Sequence, residues 1–399
     1  GETQANRLTG LIDLGVGHPG HDLLPGGLLL DAARSRLGGG EHSPLQYGLE
    51  RGGRTFRREL ARFIGRREGR APDAEGLFVT AGASQALDLL CTRLTPPGDL
   101  VVTTDPTYHL AVQVFADHGL EVRGVPSDGG GPDLDALEEL LREERPALLY
   151  LVPFFANPSG FTLATARRER LHELAREHDF WMVADEVYRF LSFGGGPPAS
   201  LVPQDERERN AGKAISLGSF SKILAPGLRL GWIEGPEVVL DTLESSGLLQ
   251  SGGGLNPFTS ALVGELLGSG GLDGHLNWLL QRYAERAAAL DSALREHLPA
   301  ARFEAPAGGY FIWLEVPGWD AAQSLPRAHE LGVNYNPGQR FSAHRDFTGY
   351  CRLSFAFYPP EELRDGARRL AGAVESGHLQ VHSPASIHVQ NSGGEYDDK

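Results

Sequence analysis

Residues 216–232, SLGSFSKILAPGLRLGW, bring together groups that chemistry can use. Lys222 is one of only three lysines, with Lys213 and Lys399, among 37 basic residues. Ser219, Ser221 and Arg229 surround it in sequence. Neighbouring positive charge and burial both favour the neutral amine, and a neutral amine is the nucleophile of imine chemistry. A guanidinium stays protonated and forms no exchangeable imine. A chain that uses arginine almost everywhere therefore needs a lysine at 222. Arg229 has the other property: its planar donor fork matches the oxygens of a phosphate, with two hydroxyls nearby to help.

Further candidates each follow an apolar run. After GLFVT, the small residues Gly82, Ala83 and Ser84 open a helix, and the free N–H groups of a helix start attract anions. After LVVTTD comes Tyr108, an aromatic able to stack on a flat ligand. After LLYLVP, Asn157 precedes Pro158, which favours an extended backbone and lets the amide reach a ligand oxygen. After FWMV, Asp185 ends a strand that reads as buried. A carboxylate there either meets a cation or is costly. Tyr188 lies three residues on. Taken singly, these are equally a helix cap, a core aromatic, a turn and another cap.

The elements that must position them alternate between residues 76 and 235. DLVVTTD, EVRGVP, PALLYLVP and FWMVAD read as strands. ASQALDLLCTRL, TYHLAVQVFADHG, LDALEELLREE and TARRERLHELAREHD read as helices. This alternation predicts βαβ units and a mostly parallel central sheet sandwiched by helices, an α/β fold. Ligands of such sheets bind at the carboxyl ends of the strands, where the residues above cluster. Residues 1–50 hold Gly/Pro-rich segments and one short helix. A long helix over 271–298, strands in GGYFIWLEV and YCRLSFAF, and a helix in PEELRDGARRLAGAV follow. The expected organisation is an N-terminal segment of a small α+β domain (1–50), a large domain (51–270), the rest of the small domain (271–375), and a loosely held polar tail (376–399).

Composition narrows the function classes. A net charge of −15 disfavours nucleic acid and anionic membrane, and no run of 18 apolar residues predicts a membrane span. Two distant cysteines, Cys91 and Cys351, make neither a metal cluster nor a disulfide framework, which points to a reducing, cytoplasmic setting. No metal is expected.

The order of helix start, aromatic, Asn-Pro-x-Gly, Asp-x-x-Tyr, Ser-x-Ser-Lys and Arg resembles the class I/II aminotransferases, fold type I enzymes of pyridoxal 5'-phosphate, over residues 10 to 375. The stretches LGVGHPGHDLLP (14–25) and SGGGLNP (251–257) resemble the branch acting on 2-aminoadipate and other bulky amino acids. The resemblance implies that Lys222 holds the cofactor as an imine and moves the substrate's α proton. It implies that Asp185 pairs with the pyridine nitrogen, that Asn157 and Tyr188 reach the ring's 3-oxygen, and that Tyr108 stacks on the ring. It gives the phosphate to Gly82, Ala83, Ser84, Ser219, Ser221 and Arg229, and to Tyr47 of a neighbouring subunit in a homodimer. It gives the substrate carboxylate to Arg352, with Gly17 and Asn157 beside it. The implied reaction transfers an α-amino group to a 2-oxo acid. Two alternatives stay open: γ-elimination or replacement, for instance on S-adenosylmethionine, for which His18 and His21 offer extra acid/base groups, and more remotely an effector sensor.

Overall fold

The computed structural model describes residues 3–4, 7–40, 42–69, 71–342 and 344–381. Near the start lie β1 (Ile12–Asp13) and helix α1 (Gly26–Gly38), followed by α2 (Arg54–Glu68). The central sheet then assembles from β2 (Leu77–Thr80), β3 (Leu100–Asp105), β4 (Glu121–Asp128), β5 (Gly131–Pro132), β6 (Pro146–Leu151), β7 (Trp181–Asp185), β8 (Ala214–Ser219) and β9 (Gly231–Glu234). Its spatial order is β2-β9-β8-β7-β6-β3-β4-β5. The pairs β4–β3, β3–β6, β6–β7 and β7–β8 are parallel. Strands β3 and β8 are buried along their whole length, as strands covered on both faces must be, which is why they read as unbroken apolar runs.

The strand order reverses between β3 and β6, the switch point at which an open α/β sheet forms its crevice. Helix α3 (Ala83–Leu94) follows β2, and helix α4 (His109–Asp117) follows β3. One departure from a parallel sheet matters for the site. Strand β9 runs antiparallel to both β8 and β2. The segment 220–230 is therefore a hairpin connection that folds Lys222 and Arg229 back over the sheet edge. Close packing makes this possible: a Cβ at Gly218 would lie 2.0 Å from the Trp232 ring, so only glycine lets the two strands pair here.

Behind Asp185, buried charges fix the turn after β7. Arg189 pairs with Glu186 at 3.1 Å and with Glu68. Glu186 accepts from Leu201 N at 2.7 Å and Ser200 Oγ at 3.2 Å. Burial pushes the Glu234 carboxyl up to about 8.

The C-terminal third contributes β10 (Phe311–Glu315), β11 (Val333–Asn334), β12 (Asn336–Pro337) and β13 (Tyr350–Ser354). β10, β13 and β12 form an antiparallel sheet, while β11 pairs in parallel with β1 and so ties in the start of the chain. A long helix spans Gly271–His297. The last helix runs Pro360–Val381, six residues into the segment expected as a tail. A helix propagates readily once formed, and the first proline after Pro360 is Pro384. The rest of that expected tail, 382–399, lies outside the described residues.

Candidate active site

A cavity of about 910 Å³ opens at the carboxyl ends of β6, β7 and β8. Ala83, Ser84, Tyr108, Asn157, Asp185, Tyr188, Ser219, Ser221, Lys222 and Arg229 all line it. Lys222 Nζ donates to the carbonyl of Gly17 at 3.1 Å. It sits 5.7 Å from the Tyr188 ring centroid and 5.3 Å from that of Tyr310. Burial takes the amine down to about 8; Asp185 opposes the fall, and Arg352 and Arg229 add to it. The amine is thus poised between its two protonation states near neutral pH.

Asp185 is buried, and its Oδ2 accepts from Tyr150 Oη at 2.7 Å. Its Oδ1 has no close hydrogen-bond partner among the described residues, although the Val187 backbone N–H lies near enough to favour the charged form. Burial raises the carboxyl to about 6, against the Tyr150 hydrogen bond and the Lys222 charge, which lower it. A buried carboxylate with one oxygen unused suits a cationic partner inside the cavity.

At the other end, Gly82 stands at φ +92°, and a Cβ there would lie 2.7 Å from Arg229 Nη2. Glycine lets the guanidinium reach the start of α3. Arg229 donates only to the carbonyls of Pro226 and Ala81, both at 3.3 Å, and pairs with no carboxylate among the described residues. Ser219 Oγ accepts from Ser221 N at 3.1 Å, and both serines line the cavity. Helix start, hydroxyls and a guanidinium without a carboxylate partner together make an anion cradle.

Arg352, on β13 and only 5% exposed, does not itself line the cavity, nor do Gly17 and Gly82; it reaches the cavity through Asn157, which does. Nη1 donates to Asn157 Oδ1 and Nη2 to Gly15 O, both at 2.8 Å, while Nε has no partner. Its guanidinium is 4.1 Å from the Phe311 ring centroid. Burial lowers it to about 10. Gly17 adjoins it: a Cβ there would lie 3.0 Å from Phe311 and 4.0 Å from Arg352 Nη2. Tyr108 is the residue before α4, and burial raises its phenol to about 12. Tyr47 is not brought in. It is 84% exposed and absent from the lining.

Two groups escaped the sequence reading. Tyr150 supports Asp185, and Tyr310 Oη donates to the Lys222 carbonyl at 3.1 Å. Both sat inside apolar strand runs, where a tyrosine reads as core. The usable signal was a hydroxyl on a strand whose neighbours offer no polar partner.

The model of the aminotransferases of class I and II matches residues 9–370. The chain belongs to this family. It is 34% identical to aromatic-amino-acid aminotransferase 1 of Thermococcus litoralis, over 92% of this chain and 88% of that protein. It is 35% identical to the 2-aminoadipate transaminase of Thermus thermophilus, over 92% and 90%. Among solved structures, the α-aminoadipate aminotransferase of Thermus thermophilus, complexed with N-(5'-phosphopyridoxyl)-L-leucine, superposes with a TM-score of 0.83 at 34% identity, covering 94% of each chain. The enzyme is a pyridoxal-phosphate-dependent aminotransferase of fold type I. These likenesses give no support to γ-elimination or replacement. The cavity fits the cofactor: an anion cradle at one end, an amine near its neutral form, and an orphaned buried carboxylate oxygen. No helix among the described residues is long and apolar enough to cross a membrane.

Proposed function

We propose that Lys222, Asp185 and Arg352 are the working centre with which this aminotransferase moves an α-amino group to a 2-oxo acid. The observation that carries this reading is the Lys222 amine, lowered to about 8, lining the same cavity as the half-satisfied Asp185 carboxylate. Pyridoxal phosphate, when bound, supplies an aldehyde for amines and an electron sink for charge left on the substrate Cα. Gly82, Ala83, Ser84, Ser219, Ser221 and Arg229 would hold its phosphate, and Asp185 its ring nitrogen. Tyr108 would face the ring; Tyr188 and Asn157 would serve the ring oxygen. Arg352 grips the α-carboxylate, with Gly17 beside it. Lys222 Nζ, once free and neutral, is the base that takes the proton from Cα.

We also read the enzyme as a homodimer. Tyr47 is exposed together with Leu45, Leu49 and Leu248, at 64%, 50% and 61%. An apolar surface of this kind suits a second copy, whose cavity Tyr47 would complete.

The holoenzyme mixed with an amino acid alone should convert one equivalent per site and stop. Adding a 2-oxo acid should restore steady turnover. Sustained turnover without the 2-oxo acid sinks the reading. The pH dependence of cofactor capture is a second check. Only the neutral amine attacks, so the rate at which cofactor-free protein takes up pyridoxal phosphate should fall about tenfold per unit below about pH 8 and level off above it. Stopped-flow absorbance measures this directly. A flat profile from pH 6 to 9 would contradict the lowered amine.

A further inference from the structure

The amino group and α-carboxylate of a substrate are addressed by Lys222 and Arg352, so its side chain must lie along the walls that remain. One wall comes from residues 18–29 (His18, His21, Leu24 and Leu29), the other from α4 (Leu110 and Val114). Asp185, Lys222 and Arg229 are the only Asp, Glu, Lys or Arg side chains lining the cavity among the described residues. All three face groups other than a substrate side chain in the reading above. Two guanidiniums of the surrounding elements have partners of their own. Arg286 pairs with Asp22 at 2.6 Å and donates to Ala356 O at 2.7 Å. Arg340 donates to Asn336 Oδ1 at 2.8 Å. A distal carboxylate drawn between these walls would lose water and gain no cation from the described residues of this chain, which is costly. Leu24 and Leu110 are 38% and 42% exposed, on separate elements that border the same cavity. Exposed apolar side chains lining a cavity from two sides suit an apolar ligand.

His18 follows Gly17, whose carbonyl holds the Lys222 amine. No hydrogen bond among the described residues engages it. Burial first, then the flanking charges of Lys222 and Arg352, lower its pKa from the ordinary imidazole value and so favour the neutral ring. A neutral imidazole offers a flat face, one donor and one acceptor. It contacts an aromatic side chain well and offers a carboxylate no charge.

We propose that this enzyme selects amino acids with bulky uncharged side chains, aromatic ones first, and that His18 is a specificity-determining residue that disfavours dicarboxylic substrates. This rests on the aminotransferase reading with Lys222 and Arg352 at the reacting end. The test follows single half-reactions of the holoenzyme by absorbance, comparing phenylalanine, tyrosine and leucine with aspartate, glutamate and 2-aminoadipate. The uncharged set should lead in kcat/KM by about 100-fold or more. His18→Arg should raise the value for glutamate and narrow the gap at least about tenfold, since a guanidinium then meets the distal carboxylate. His18→Leu should raise KM for phenylalanine more than it lowers kcat. Calorimetry on two carboxylates that cannot react gives an independent readout: 3-phenylpropionate should bind wild type tighter than glutarate, and His18→Arg should reverse the order. If either variant loses the cofactor, His18→Gln, which keeps a donor and an acceptor without charge, should preserve the wild-type order. Glutamate or 2-aminoadipate matching phenylalanine in the wild type, or an unchanged order in His18→Arg, overturns the proposal. Conversion by dicarboxylic amino acids alone would sink only the specificity. Conversion by none would sink the aminotransferase reading beneath it.

Discussion

Lys222→Ala should cut amino-group transfer by more than about 10⁴-fold, because it removes both the attachment point of the cofactor and the base at Cα. Lys222→Arg should lose as much, although it keeps the positive charge. A guanidinium is a donor fork that does not give up its proton, so neither role survives. The contrast separates charge from chemistry. Lys213→Ala is the control: that lysine pairs with Asp179 at 2.6 Å and lies 4.4 Å from the Trp181 ring centroid, at the opposite end of β7 from Asp185. Its activity should stay within about threefold of wild type, as for most surface substitutions. Sodium borohydride should fix the cofactor to the peptide carrying Lys222 in wild type and in Lys213→Ala, and mass spectrometry reads the added mass. Cofactor fixed to the chain of Lys222→Ala would show that another amine does the work.

The same lysine shows what a sequence discloses and what it hides. Its rarity and its serine and arginine neighbours are local facts. So is the order of apolar runs that builds the sheet and puts Asp105, Leu151, Asp185 and Ser219 at one edge. Periodicity and composition carry such facts directly. Contacts between distant segments leave no such trace. Arg352 donates to Asn157 across 195 residues, so the asparagine that the motif assigns to a ring oxygen also aims the guanidinium. Tyr150 and Asp185 meet because β6 and β7 are parallel neighbours in register, with Tyr150 opposite Val183. The antiparallel insertion of β9 was equally hidden, since a buried antiparallel strand has the same apolar composition as a parallel one. Tyr47 marks a different limit. A residue whose expected partner is a second copy is simply exposed in one chain.

Arg352 separates stability from function. Its side chain is buried, and no carboxylate lies within 4 Å of it among the described residues. Burial lowers it to about 10; near neutral pH the Tyr188 and Tyr108 phenols beside it carry no charge, and the Asp13 carboxylate works to raise it from farther off. Two carbonyl-type acceptors and the Phe311 face hold it in place but leave its charge uncompensated. Such a group costs folding free energy and is primed for an anion: a substrate carboxylate would find a desolvated fork already aimed. Arg352→Met keeps the length and apolar contacts of the side chain while removing the charge. Loss of two charge-assisted hydrogen bonds, about 1.5 to 3 kcal/mol each, should lower kcat/KM by about 10²- to 10⁴-fold. The cofactor-free protein should meanwhile be no less stable than wild type, and by up to about 1 to 2 kcal/mol more stable, because an apolar side chain replaces an unpaired buried charge. Steady-state kinetics and urea unfolding, run on the same preparation, read the two effects. A variant that lost stability as well as activity would mean that Arg352 braces the fold through Asn157 and Gly15. A variant that kept its activity would mean that the carboxylate is gripped elsewhere.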